Sequence, residues 1–174
     1  MIPPLLVEYD PGAPGDYTQR DVVGAQALLV EHRWDADALP VLEYGFPASV
    51  TERQMFEQFR SFMTDIGYPA EKVRPLTFAS FGDYFRAYSE RRVMLITSSW
   101  TMDYPDAENT IQLFFGPNRA PGSNSSNYDN PEFNELYRRT VAMPAGPERT
   151  RIYRRMNQLI MEDCATIAGI SRTL

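Results

Sequence analysis

The residues with chemistry to offer are gathered between Trp100 and Asn109, in WTMDYPDAEN: an indole, a phenol, the carboxylates of Asp103 and Asp106, and a carboxamide. This stretch follows directly on Val93-Met94-Leu95-Ile96. An apolar run that ends in Thr97-Ser98-Ser99 and then a proline-containing turn reads as a buried strand spanning 93–99. Such a strand delivers Trp100 and Asp103 to its C-terminal end, which in open α/β sheets is where ligands sit. Trp100 offers a flat face for packing against a ligand or within the core. Asp103 either meets a ligand or bonds neighbouring amides as a turn residue. Asp106 reads as a helix cap, and Asn109 as a first-turn polar residue or one that reaches the cleft. The candidate ligand-binding set is Asp103, Trp100, Tyr104 and Asn109.

Other chemistry finds little support. His32 is the only histidine and Cys164 the only cysteine, so a structural metal lacks its usual ligands. There is no nucleophile elbow, no glycine-rich phosphate loop and no HExxH, so neither a catalytic residue nor a cofactor is assigned. Paired carboxylates such as Asp103 and Asp106 leave a hydrolytic α/β domain as a rival reading. With 23 acidic residues, however, some must lie close by chance. Arg138, Arg139, Arg151, Arg154 and Arg155 fall opposite the apolar stripes of their helices and read as a solvated surface.

At 174 residues and 43% hydrophobic, the chain is expected to form one domain, 1–174, around one sizeable core. A net charge of −6 argues against nucleic acid as a partner, because a phosphate-binding surface needs a basic face. Arginine is abundant while Lys72 is the only lysine, which reads as coding bias from a GC-rich genome. Cys164 cannot form an intramolecular disulfide and is expected on the apolar stripe of the last helix, as a small core residue. No apolar run approaches the roughly twenty residues of a membrane span. The start, Met1-Ile2-Pro3-Pro4-Leu5-Leu6, lacks the basic and long apolar segments of a signal peptide.

The prolines and small residues of 1–18 make an irregular lead-in. A helix is expected over 20–34, then a strand at 41–46. Ser49-Val50-Thr51-Glu52 has the pattern of a capping box, and Met55, Phe56, Phe59, Phe62, Met63 and Ile66 recur at helical intervals up to Gly67. A strand at 73–79 precedes a helix begun by Ser80, with Phe81, Tyr84, Phe85 and Tyr88 on one face. Asp106 caps a short helix through Phe115. Residues 116–130 form a polar loop, either a flexible linker or an ordered loop near the cleft. Asn130-Pro131 and Gly146-Pro147 each begin a helix. Strands alternating with helices give an α/β fold, with helices packed on a mixed, at least partly parallel, sheet.

The order of these features resembles the dipeptide and oligopeptide binding family, the solute-binding proteins of peptide-type ABC transporters. The resemblance is carried by Tyr9-Asp10-Pro11, Ile66-Gly67, Phe81 to Tyr88, Trp100 to Asn109, Asn124 to Phe133 and Tyr153 to Asp163. It spans nearly the whole chain. It departs at Asp129, where a serine is common, and at Ala165 to Ala168, where a proline-flanked strand start is usual.

The resemblance implies one lobe of a two-lobed, periplasmic-binding-protein-like fold. It implies a periplasmic or membrane-tethered receptor that hands a peptide or peptide-like solute to a membrane permease, with the second lobe supplied by the same protein. Asp103 matches the position that pairs with a ligand's α-ammonium in peptide-binding relatives. A carboxylate in a water-poor cleft suits that task through a charge-assisted hydrogen bond. Since the family is exported, the missing leader leads to the expectation of an excised piece or a truncated reading frame. A product without binding activity of its own is the third reading.

Overall fold

The computed structural model describes residues 1–12 and 19–168. The expected lead-in, 1–18, extends into 13–18, which together with 169–174 lies outside the described residues. The described residues group into two compact units: 19–99, and 1–12 with 100–168.

The first of these is an α/β layer. Its elements are α1 (Val22–Glu31), β1 (Leu42–Pro47), α2 (Val50–Asp65), β2 (Val73–Phe78), α3 (Phe81–Ser89) and β3 (Leu95–Ile96). The sheet order is β2-β1-β3, with Leu42 opposite Val73, Pro47 opposite Phe78, and Tyr44 opposite Leu95. Where the sequence suggests a mixed sheet, these three strands pair in parallel throughout. The reason is that α2 and α3 each carry the chain back to the start of the next strand, as a parallel crossover requires. Phe46, near the C-terminal end of β1, is fully buried and stacks on Phe56 of α2, ring centroids 5.7 Å apart. Leu39, Tyr68 and Val73 complete that core. The lone lysine is structural: Lys72 Nζ donates to the carbonyls of Ala36, Asp37 and Leu39 at 2.8–2.9 Å.

The serine caps read from the sequence operate, although the reciprocal half of the Ser49 capping box does not: Glu52 Oε2 is buried without a hydrogen-bond partner among the described residues. The Ser49 hydroxyl accepts from Glu52 N–H and the Ser80 hydroxyl from Asp83 N–H, both at 3.1 Å. On α3 the inward residues are Tyr84 and Ala87, while Phe81 and Phe85 are exposed, so the four aromatics do not share one buried face. The expected seven-residue strand at 93–99 pairs only over Leu95–Ile96, extended by the Thr97 N–H bond to Gly45 O.

The second unit is helical: α4 (Glu108–Ile111), α5 (Pro131–Val141) and α6 (Pro147–Glu162), with short 3₁₀ turns between α4 and α5. Asn130 caps α5, its side chain accepting from Phe133 N–H, and prolines open α5 and α6. Phe133 and Tyr137 of α5 meet Ile152, Tyr153, Met156, Leu159 and Ile160 of α6, with Ala107, Ile111 and Phe114 closing the core. Cys164 departs from expectation. It lies beyond the end of α6, exposed, with φ +50°, because α6 closes there: Cys164 N–H bonds Met161 O and Ala165 N–H bonds Ile160 O. No described helix is long and apolar enough to cross a membrane.

Candidate functional site

The turn from Trp100 to Asp106 is built on α4. Glu108 and Asn109, consecutive residues of that helix, each hold one aromatic ring by its polar end. The Trp100 indole Nε1 donates to Asn109 Oδ1 at 2.7 Å, and the Tyr104 hydroxyl donates to one Glu108 oxygen. The other Glu108 oxygen accepts from the Tyr137 hydroxyl of α5. Both rings of the turn remain half-exposed, Trp100 at 46% and Tyr104 at 45%, whereas Asn109 is fully buried. The hydrogen bond to Glu108, and then partial burial, push the Tyr104 hydroxyl above its ordinary pKa. Burial, and then the Glu108 carboxylate, do the same to Tyr137. Both phenols therefore act as donors at neutral pH.

Asp106 does two jobs. Its Oδ1 accepts from Glu108 N–H at 2.8 Å, a bond made one residue ahead of Ala107, which rather than the expected Asp106 flanks α4, and from Arg149 Nη2 of α6 at 2.7 Å. Arg149 sits on the buried stripe of α6, its side chain only 10% exposed, with its guanidinium 4.6 Å from the Tyr153 ring and 3.8 Å from Glu8. Burial alone would raise the Asp106 pKa. The hydrogen bonds from Arg149 and from Glu108 N–H, together with the Arg149 charge, outweigh that and hold it below the usual carboxylate value. The hydrolase reading needs Asp106 as a proton-transferring group. An ionised carboxylate locked to a buried arginine is a poor acid and a weak base, so the geometry disfavours that reading.

Asp103 is the carboxylate left over. It is exposed in the bend and, among the described residues, has no hydrogen bond or ion pair. The turn thus holds three acids in different states: Asp106 paired with Arg149, Glu108 receiving two phenols, and Asp103 uncommitted. Trp100, Tyr104 and Asn109 are brought together around α4, and Asp103 lies in the same bend.

The segment 116–130 is an ordered loop. Asn124 is fully buried at its centre, its Nδ2 donating to Phe115 O at 3.1 Å and Tyr128 O at 2.8 Å. Tyr128 and Asn130 in turn donate to Asp163 at the end of α6. Arg138, Arg139, Arg151 and Arg154 are exposed, and Arg155 pairs with Glu132 and Glu162 at the surface. His32 is exposed at the end of α1, and among the described residues no group of three His, Cys, Asp or Glu side chains is placed to hold a metal ion. Sequence reasoning did not single out Arg149, Glu108 or the Tyr137 hydroxyl. Arg149 had a legible signal: it precedes Ile152, Tyr153 and Met156 by three, four and seven positions, on the apolar stripe, where a charge must find a partner.

No family model matches the sequence, and no curated protein matches it. Solved structures do. The murein tripeptide binding protein MppA of Escherichia coli is similar over 94% of this chain, with a TM-score of 0.79 and 16% identity. HbpA2 from Haemophilus parasuis is similar over 92%, with a TM-score of 0.78 and 20% identity. The ABC transporter-associated periplasmic binding protein DppA from Helicobacter pylori, solved with the peptide STSA, is similar over 94%, with a TM-score of 0.77 and 16% identity. The chain spans 31% of the length of each. At such identities the likeness is one of fold: the chain has the α/β fold of about a third of a periplasmic binding protein.

Proposed function

We propose that the chain, 1–174, is one lobe of a two-lobed extracytoplasmic solute receptor of the dipeptide and oligopeptide binding family. The receptor serves an ABC importer, and its ligand is a peptide or a peptide-like small molecule carrying an ammonium group. It is a binding protein, not an enzyme. Its partners are the remainder of the same receptor and a membrane permease, and its place of action is the periplasm or the outer face of the membrane.

The observation that carries this reading is the state of Asp103: beside Asp106, paired with Arg149, and Glu108, which accepts from two phenols, it alone is exposed and uncommitted. A carboxylate free of internal pairing is what recognition of an ammonium requires, and closure of a second body over it would strengthen the bond by excluding water. The half-exposed Trp100 and Tyr104 rings suit contact with the ligand's apolar parts. Two of the similar structures are described as binding proteins, one for a murein tripeptide and one solved with the peptide STSA, which supports the same reading.

The test is the identity of the ligand that co-purifies with the receptor containing this chain. Mass spectrometry of the released ligand is expected to give free-amine peptides. A sugar, a metal chelate or another solute without an ammonium group would refute the peptide assignment.

A further inference from the structure

We propose that Asn109 is a positioning residue, which with Glu108 makes the first turn of α4 a clamp that fixes the Trp100 and Tyr104 rings before any ligand arrives. Asn109 itself is fully buried between Ala107 and the buried pair Thr110 and Ile111, so its own rotamer is set by the core. Its Oδ1 receives the Trp100 indole N–H at 2.7 Å, and its Nδ2 is buried with no hydrogen-bond partner among the described residues. Glu108, one residue earlier, takes the Tyr104 hydroxyl as a donor.

The physical consequence concerns rotamers. A half-exposed tryptophan with no anchor samples several staggered positions. Here, swinging Trp100 away would strand the Asn109 oxygen in a site closed to water. The penalty for an orphaned buried acceptor favours the bonded rotamer by about ten-fold or more. The aromatic surface of the turn is therefore pre-formed, and a ligand that packs against it need not order it first. This role rests on the ligand-binding reading for its purpose, but the positioning exists without ligand and is tested without it.

Trp34→Phe leaves Trp100 as the only tryptophan. In that background, hydrogen exchange of the indole N–H and acrylamide quenching of its fluorescence both report on the Trp100 side chain in the folded chain. Asn109→Leu keeps roughly the volume and removes the acceptor, whereas Asn109→Asp keeps an oxygen there. Asn109→Leu is expected to speed indole exchange by about ten-fold, as loss of that bond implies, and to increase quenching, while Asn109→Asp retains slow exchange. A merely structural Asn109 would lower the melting temperature and leave Trp100 unchanged in the native state. Unchanged exchange and quenching in a natively folded Asn109→Leu chain would overturn the proposal. If that variant does not fold, the Asn109-containing chain decides: exchange at the rate of free indole would equally overturn it. Failure of the receptor to bind peptides would contradict the ligand reading while leaving these readouts as they are.

Discussion

Arg149 holds Asp106 at 2.7 Å, and by doing so ties the start of α6 to the turn that leads into α4. Capping alone would make Asp106→Asn nearly neutral, since asparagine caps as well as aspartate. The pairing changes that expectation. Asp106→Asn keeps an acceptor for the Glu108 N–H but leaves the buried guanidinium with Glu8 at 3.8 Å as its only carboxylate. We expect a loss of about 2 kcal/mol, below the range for severing a fully buried pair because Asp106 is one-third exposed. Urea unfolding measures it, and a loss under about 0.5 kcal/mol would show the pair to be of the surface kind.

The same pair sets a response to acid. Burial opposes but Arg149 and the Glu108 amide dominate at Asp106, and at Asp163 hydrogen bonds from Tyr128 and Asn130 lead, so both carboxyl groups have folded pKa values below their ordinary ones. A depressed folded value contributes stability that is fully present above the unfolded pKa, about 3.9, and is lost as pH falls through the folded value. Thermal melts should therefore lose stability from these two groups only below about pH 4. The Asp106→Asn chain should show the shallower fall there, and an equal fall in both chains would contradict the assignment.

Cys164 makes a test of helix termination. Four helices close in the same way, with a left-handed residue after the cap: Arg33 after α1, Gly67 after α2, Arg91 after α3 and Cys164 after α6. Only Gly67 suits that conformation, since a side chain in the left-handed region costs about 1–2 kcal/mol. Cys164→Gly is thus expected to stabilise the chain by about 1 kcal/mol. Were Cys164 a core residue, the same change would open a cavity and destabilise it. The sign of the shift in the denaturation midpoint decides between them.

These closures also mark where the sequence is legible. Caps at Ser49, Ser80 and Asn130 join residues three apart and are readable in the sequence, as are Pro131 at the first helical position and Gly67. The closures at Arg33, Arg91 and Cys164 carry no glycine to announce them. The periodicity of α6 runs on to Cys164, but the helix closes there through the Cys164 and Ala165 N–H bonds, while the Asp163 side chain at its end is held by Tyr128 and Asn130, 33–35 residues distant in sequence. β3 was over-read because pairing is not local, and only Tyr44 and Gly45 of β1 offer it a register. In the candidate turn, Asp103 and Trp100 were visible by type and position, whereas the Arg149 pairing depended on how α6 packs.

Asn124 turns the choice between linker and ordered loop into a measurement. Its side chain satisfies two backbone carbonyls from a fully buried position, so Asn124→Ala leaves them wanting and should cost about 2–3 kcal/mol. Amide exchange across 116–130 should rise with it. A loop that already exchanges freely in the unaltered chain, with no loss of stability in Asn124→Ala, would mean that 116–130 is a linker.

The central claim is that Asp103 meets a ligand's ammonium group, and calorimetry on the receptor containing this chain tests it most directly. Asp103→Asn removes the charge and keeps the shape. With a free-amine peptide, it should weaken binding by about 1.5–3 kcal/mol, the value of a charge-assisted hydrogen bond. The N-acetylated form of the same peptide should bind the unaltered receptor poorly and be barely affected by the substitution. Equal affinity of the unaltered and Asp103→Asn receptors for the free-amine peptide would contradict the claim, and would return Asp103 to the role of an ordinary turn residue.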